Sequence, residues 1–175
     1  TDAGEWFGPA DDAVTWTIEI LDGLEAAHRA GVVHRDVKPS NCFTTAQGRV
    51  KVGDFGLSRS LDQEVQLTRS GVFLGSPLYA SPEQVRGREV DLRSDLYSTG
   101  ATLYALVTGQ VPFENASPLD CWMKKIRNEF PSPKELNPAI SDRVDWAIRR
   151  AMSAEPDRRP SSCREFVEDL TGQSR

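Results

Sequence analysis

An α+β fold, mainly α-helical with one small β-hairpin, is what this sequence predicts. Three observations carry that expectation. Apolar residues recur at helical spacing in separate stretches, most of them opened by Ser or Asp and two closed by Gly. Cys42-Phe43-Thr44 and Val50-Lys51-Val52 are two short strand-like runs with Gln47-Gly48 as the turn between them. One further stretch is apolar on nearly every side, the mark of a helix at the centre of a domain. The 175 residues are enough to build one such core.

In chain order, residues 1–10 carry Gly and Pro and read as a loop. Asp11 or Asp12 can cap the helix that follows, with Val14, Ile18, Leu21, Leu24 and His28 along one stripe and Gly31 as its left-handed end. Val32-Val33 leads into a polar loop at 34–41, and the strand pair comes next. Residues 58–75 show no period and are polar, which predicts a long loop of the kind that is usually functional. Ser81-Pro82-Glu83 closes it. Ser94 caps a helix from Asp95 to about Thr108, apolar nearly all round and stopped by Gly109. Ser117-Pro118 opens another helix, with Leu119, Trp122, Met123 and Ile126 as its apolar side. Ser141 opens a third, carrying Val144, Ile148, Ala151 and Met152 on one face. Ser162 and Glu165 form a capping box for the last, which buries Phe166 and Leu170.

Composition excludes several classes of function. Apolar residues make up 38% and charged residues 27%, which argues against disorder. With a net charge of −5, nothing suggests the basic face that nucleic acid would need. Cys42, Cys121 and Cys163 are far apart and odd in number, so neither a zinc site nor a disulfide framework is expected, and a reducing, cytoplasmic setting is the simplest reading. No apolar run of transmembrane length and no signal peptide is visible, although membrane anchoring of a longer protein stays open.

The chemistry concentrates between 34 and 56. His34-Arg35-Asp36-Val37-Lys38-Pro39-Ser40-Asn41 is followed, after the strand pair, by Asp54-Phe55-Gly56. Asp36, Lys38, Asn41 and Asp54 are the residue types that phosphoryl transfer asks for, because that reaction needs mainly positioning and charge neutralisation. Asp36 can accept the proton of an attacking hydroxyl. Lys38 can reach a transferring phosphate as a point charge. Asn41 and Asp54 supply the oxygen donors that Mg²⁺ prefers, and a shallow hairpin would bring them to one end. Taken singly, each is an ordinary turn residue; the joint pattern HRDxKxxN and DFG is the signal. Arg35 is either a solvated charge or the partner of a phosphorylated Thr68 or Ser70. His34 and Phe55 read as packing beneath the site. Phe43 reads equally as a floor for an adenine ring or as plain core.

These motifs resemble those of the serine/threonine protein kinases, and most of all the bacterial, eukaryotic-like type, with Val37 where Leu is commonest. The resemblance covers roughly residues 11–170 and includes Gly75-Ser76-Pro77-Leu78-Tyr79-Ala80-Ser81-Pro82-Glu83, where Ser81 replaces the usual Ala. It implies a C-terminal kinase lobe across residues 1–175, with a catalytic loop at 34–41, an activation segment at 54–83 and a helical remainder at 84–170. It implies ATP and Mg²⁺ as cofactors, a protein substrate as partner, and transfer of the ATP γ-phosphate to Ser or Thr hydroxyls. Ser76 would bridge Asp36 and Lys38, Asp95 would hold the catalytic loop's backbone, and Glu83 would pair with Arg159.

The chain begins at Thr1 and shows no GxGxxG loop, VAIK-type lysine or partner glutamate. The expectation is therefore of a fragment in which the N-terminal β-lobe is absent, inactive by itself and poorly soluble unless that lobe covers it. A pseudokinase, a non-catalytic interaction module on the same fold, is the alternative, and the intact catalytic-loop residues argue against it. A small-molecule phosphotransferase of related fold is more remote, because the long activation segment and its Ser-Pro-Glu end are evident.

Overall fold

The computed structural model describes residues 10–55, 78–113 and 116–173. It is mostly helical with one two-stranded antiparallel sheet. Helix α1 runs from Ala10 to Arg29 and buries Ala13, Thr17, Ile20, Leu21 and Leu24. That stripe is displaced from the expected one, since Val14 and Ile18 are only partly buried. Asp11 and Asp12 sit inside the first turn rather than capping it, where their charge still favours the positive end of the helix dipole. The far end closes as expected at Gly31 (φ 75°), with the Val32 amide donating to Ala27 and the Gly31 amide to His28.

A single 3-10 turn at Pro39–Asn41 delivers the chain into strand β1, Cys42–Thr44. Strand β2, Val50–Val52, pairs with it in the register Cys42 to Val52 and Thr44 to Val50. Gly48 turns the chain at φ 75°. The first residue of each strand, Cys42 and Val50, is buried, and β2 packs on α1.

Helix α2, Pro82–Val85, is a single turn capped by Ser81 through a reciprocal bond with Gln84. It is too short to leave an apolar period. Helix α3, Leu92–Thr108, is the axis of the molecule: every residue from Ser94 to Val107 is buried. Its cap is Asp91, whose carboxylate accepts from the Arg93 amide, and not Ser94 as the sequence suggests. Ser94 is buried and donates its hydroxyl to Glu83 instead, so a tertiary partner has taken the local capping group. Gly109 ends the helix in the left-handed region.

Around α3 lie α1 on one flank and α6, Asp142–Ala151, on another. Gly100 permits that second approach, because a Cβ there would stand 2.9 Å from the Ala151 methyl. Helix α7, Cys163–Thr171, closes against both α1 and α6 and buries Phe166 and Leu170. Its Ser162 cap is present, but the expected box is incomplete: the Glu165 carboxylate reaches the amide and hydroxyl of Ser161. Helices α4, Pro118–Arg127, and α5, Pro133–Leu136, complete the bundle. In α4 the buried face is Cys121 and Lys125, while Leu119 is 61% exposed, which corrects the apolar side read from the sequence. Among the described residues no helix is long and apolar enough to cross a membrane.

Candidate active site

The site stands on the seam between the polar loop at 34–41 and the hairpin. The loop's shape is set from beneath by Asp95 of α3, whose side chain is fully buried. One carboxylate oxygen accepts from the His34 amide at 2.8 Å and the other from the Arg35 amide at 2.7 Å. His28 of α1 adds a third contact through Nε2 at 2.7 Å. Arg35 is held at φ 69°, a conformation that a non-glycine residue adopts only under such constraint. The Gln84 side chain donates to the Arg35 carbonyl at 2.7 Å and ties the loop to α2.

His34 is buried and bridges inward. Its Nδ1 accepts from the Asp36 amide at 3.2 Å, and its Nε2 meets the Gly53 carbonyl at 2.6 Å. These two bonds require the Nε2 nitrogen to carry the proton. The Phe55 ring packs edge-on against the imidazole, with centroids 4.5 Å apart.

Asp36 lies directly above. Its carboxylate accepts from the Asn41 amide at 2.9 Å, and the Lys38 ammonium stands 3.2 Å from the same oxygen. Asn41 also donates to the Asp36 carbonyl at 2.8 Å. Both bonds use Nδ2, so the Oδ1 oxygen is left for another partner. The Gly53 amide donates to the Asn41 carbonyl at 2.9 Å, which fixes Asp54 at the Asn41 end of the hairpin. Asp54 is exposed and sits at φ 59°. One amide oxygen and one carboxylate are hard donors suited to Mg²⁺, and the remaining positions would fall to phosphate and water. Among the described residues no group of three His, Cys, Asp or Glu side chains could hold a metal.

Phe43 is 51% exposed, which removes it from the core. Its ring lies across Gly53, where an added Cβ would come within 2.7 Å of a ring carbon. An aromatic face on the outside of the hairpin, beside Asn41, remains available to a planar apolar group.

A second anchor lies below α2. Arg159 grips Glu83 with both terminal nitrogens, at 2.7 and 2.8 Å, and Arg159 is 2% exposed. The guanidinium also donates to the Ser153, Arg93 and Ala154 carbonyls and lies 4.9 Å from the Tyr97 ring centroid. Burial disfavours the charged Glu83 carboxylate, but the hydrogen bonds and charge of Arg159 and the Ser94 hydroxyl outweigh it and hold the carboxyl below its ordinary 4.5. Gly56, Thr68, Ser70 and Ser76 lie outside the described residues.

Three further residues belong to this network without having been singled out as functional in the sequence. His28 stood there as one more position on the α1 stripe. Gln84 carries no motif of its own, and Lys125 is masked by the apolar residues around it. Only for His28 was a signal present: a titratable group on an otherwise apolar face.

Comparison with known proteins adds a family. The protein kinase domain family matches residues 5–171 of this chain. A probable serine/threonine-protein kinase of Streptomyces coelicolor is 43% identical over 155 residues, 88% of this chain and 23% of its own length. One from Clostridium perfringens is 40% identical over 162 residues, 93% of this chain and 24% of its own. The serine/threonine-protein kinase PknB of Mycobacterium leprae is 35% identical, again over 93% of this chain and 26% of its own length. The chain thus spans about a quarter of the length of the curated relatives it matches.

Proposed function

For this chain, which belongs to the protein kinase domain family, we propose a part in transferring the γ-phosphate of ATP to serine or threonine hydroxyls of a protein. The observation that carries the reading is the contact of Asn41 with both the carbonyl and the carboxylate of Asp36, together with the Gly53 amide bond to the Asn41 carbonyl that brings Asp54 to the same end of the hairpin. One residue thereby ties the proton acceptor to the metal position.

Asn41 and Asp54 would hold Mg²⁺, which when bound neutralises charge on the nucleotide's phosphates. Asp36 orients the acceptor hydroxyl and takes its proton as the oxygen bonds to phosphorus and the bond to the ADP oxygen breaks. Lys38, close enough to touch Asp36, offers its ammonium to the phosphoryl oxygens in transit. Phe43 presents its exposed ring to the adenine. Arg35 would pair with Thr68 or Ser70 were either phosphorylated. Gly56 would support the Asp54-Phe55 corner, and Ser76 would complete the Asp36–Lys38 pair. The serine/threonine choice rests on the names of the relatives and on Lys38-Pro39.

The test uses the full-length protein that carries these residues, with Mg²⁺, labelled ATP and a generic protein substrate. Asp36→Asn should fold normally and lower kcat by about 10²–10⁴, and phosphoamino-acid analysis of the wild-type product should show only phosphoserine and phosphothreonine. An Asp36→Asn protein that keeps the wild-type rate would end the reading.

A further inference from the structure

Lys125 is a charged side chain in an unexpected place. It sits on α4, is 1% exposed, and faces the interior beside Cys121. A buried ammonium is costly unless its protons are used. Here the Nζ donates to the Leu78 carbonyl at 3.0 Å and the Ala80 carbonyl at 2.5 Å. It also lies 5.1 Å from the Tyr97 ring centroid and 5.0 Å from that of Phe113. Burial, helped by the charge of Arg159, drives the amine down to about 7, whereas Cys121 and the Glu83 carboxylate favour its charged form. The Tyr97 ring also backs Arg159, so one aromatic side chain of α3 supports two cations that reach toward the same stretch. Arg159 holds that stretch at Glu83, and Lys125 holds it at Leu78 and Ala80.

We propose that Lys125 is a positioning residue for the protein substrate: by drawing the Leu78 and Ala80 carbonyls inward, it sets the course of the segment that enters α2. The path onward is continuous. Ser81 caps α2, and Gln84 of α2 donates to the Arg35 carbonyl, next to Asp36. We take residues 78–80, which run into α2 and its contact with the Arg35 carbonyl beside Asp36, as the surface on which the acceptor peptide lies; releasing them would shift that surface while leaving Asp54 and Phe43 on the hairpin undisturbed. Peptide binding and nucleotide binding would therefore respond differently to the loss of one ammonium. This inference rests on the phosphotransferase reading above.

Two measurements on the full-length protein decide it. Lys125→Met, which keeps the length and removes the charge, should raise KM for a peptide substrate by about tenfold, the scale of one lost charge-assisted hydrogen bond. KM for ATP should stay within about twofold of wild type, and Lys125→Arg should recover part of the peptide affinity. Amide hydrogen exchange over residues 78–85 should quicken in Lys125→Met while exchange in α1 stays at the wild-type rate. Should Lys125→Met fail to fold, Lys125→Gln, which keeps a donor, is measured in the same way. A folded variant with unchanged peptide KM and unchanged exchange over 78–85 overturns the proposal, as does an equal rise in both KM values. If wild type transfers no phosphate at all, the reading of the reaction is lost and the substrate role with it, whereas the exchange arm still decides whether Lys125 holds residues 78–80.

Discussion

Asp95 and Glu83 are both buried carboxylates near the start of helix α3, yet they hold unlike partners. Asp95 is met by two backbone amides and an imidazole. Glu83 is clasped by the guanidinium of a residue 76 positions away. The first contact maintains a backbone shape, the left-handed bend at Arg35, within one loop. The second joins distant segments and says little about the conformation of either. A charge satisfied by amide dipoles sets local geometry, whereas a charge satisfied by a counter-ion sets which parts of the chain meet.

The comparison breaks most sharply at the ion pair. Glu83→Ala strands a buried guanidinium and should cost about 3–5 kcal/mol in urea unfolding. A loss below about 1 kcal/mol would show that the Ser153, Arg93 and Ala154 carbonyls already satisfy Arg159. The sign with pH follows from the lowered Glu83 carboxyl. Its contribution is complete above the unfolded value and is lost as the pH falls through the lower folded one, so the stability of wild type should decline below about pH 4.5 more steeply than that of Glu83→Ala.

Asp95→Asn is the intermediate case. It keeps one acceptor but turns an NH₂ toward a backbone amide or the imidazole, and about 1.5–3 kcal/mol should be lost. Its effect on phosphate transfer by the full-length protein should exceed that of Glu83→Ala measured at equal folded fraction, because the bend at Arg35 precedes Asp36. Equal effects would mean that both anchors act only by holding the fold together.

Tyr97→Phe should be the mildest. The Tyr97 hydroxyl is the buried side-chain polar atom that has no partner among the described residues, and its ring, not its oxygen, supports Lys125 and Arg159. Removing it should change unfolding by no more than about 1 kcal/mol, toward greater stability. A clear loss in a thermal melt would reveal a partner for that oxygen.

Much of this was legible in the sequence wherever local rules act alone. The strand pair, the caps at Ser117 and Ser141 and the buried central helix all follow from periodicity and turn chemistry. The loop residues 34–41 and Asp54 were named from their motif, and the hairpin joins them through the Gly53 amide. What escaped depends on partners far along the chain. Ser94 looked like a cap until Glu83 took its hydroxyl, and Leu119 looked buried until the Leu78 and Ala80 carbonyls called for Lys125 in its place. A lysine in an amphipathic helix is assigned to solvent by pattern alone, since no local signal announces two carbonyls 45 and 47 positions upstream.

Positions 43 and 53 amount to a single steric decision. The phenyl group fits only because the residue before Asp54 has no side chain. Enlarging position 53 alone would lever the ring off the hairpin and alter whatever planar ligand rests there. Shrinking Phe43 at the same time would make room again, so evolution, or a chemist reshaping the proposed nucleotide slot, has to trade these two sites as a couple.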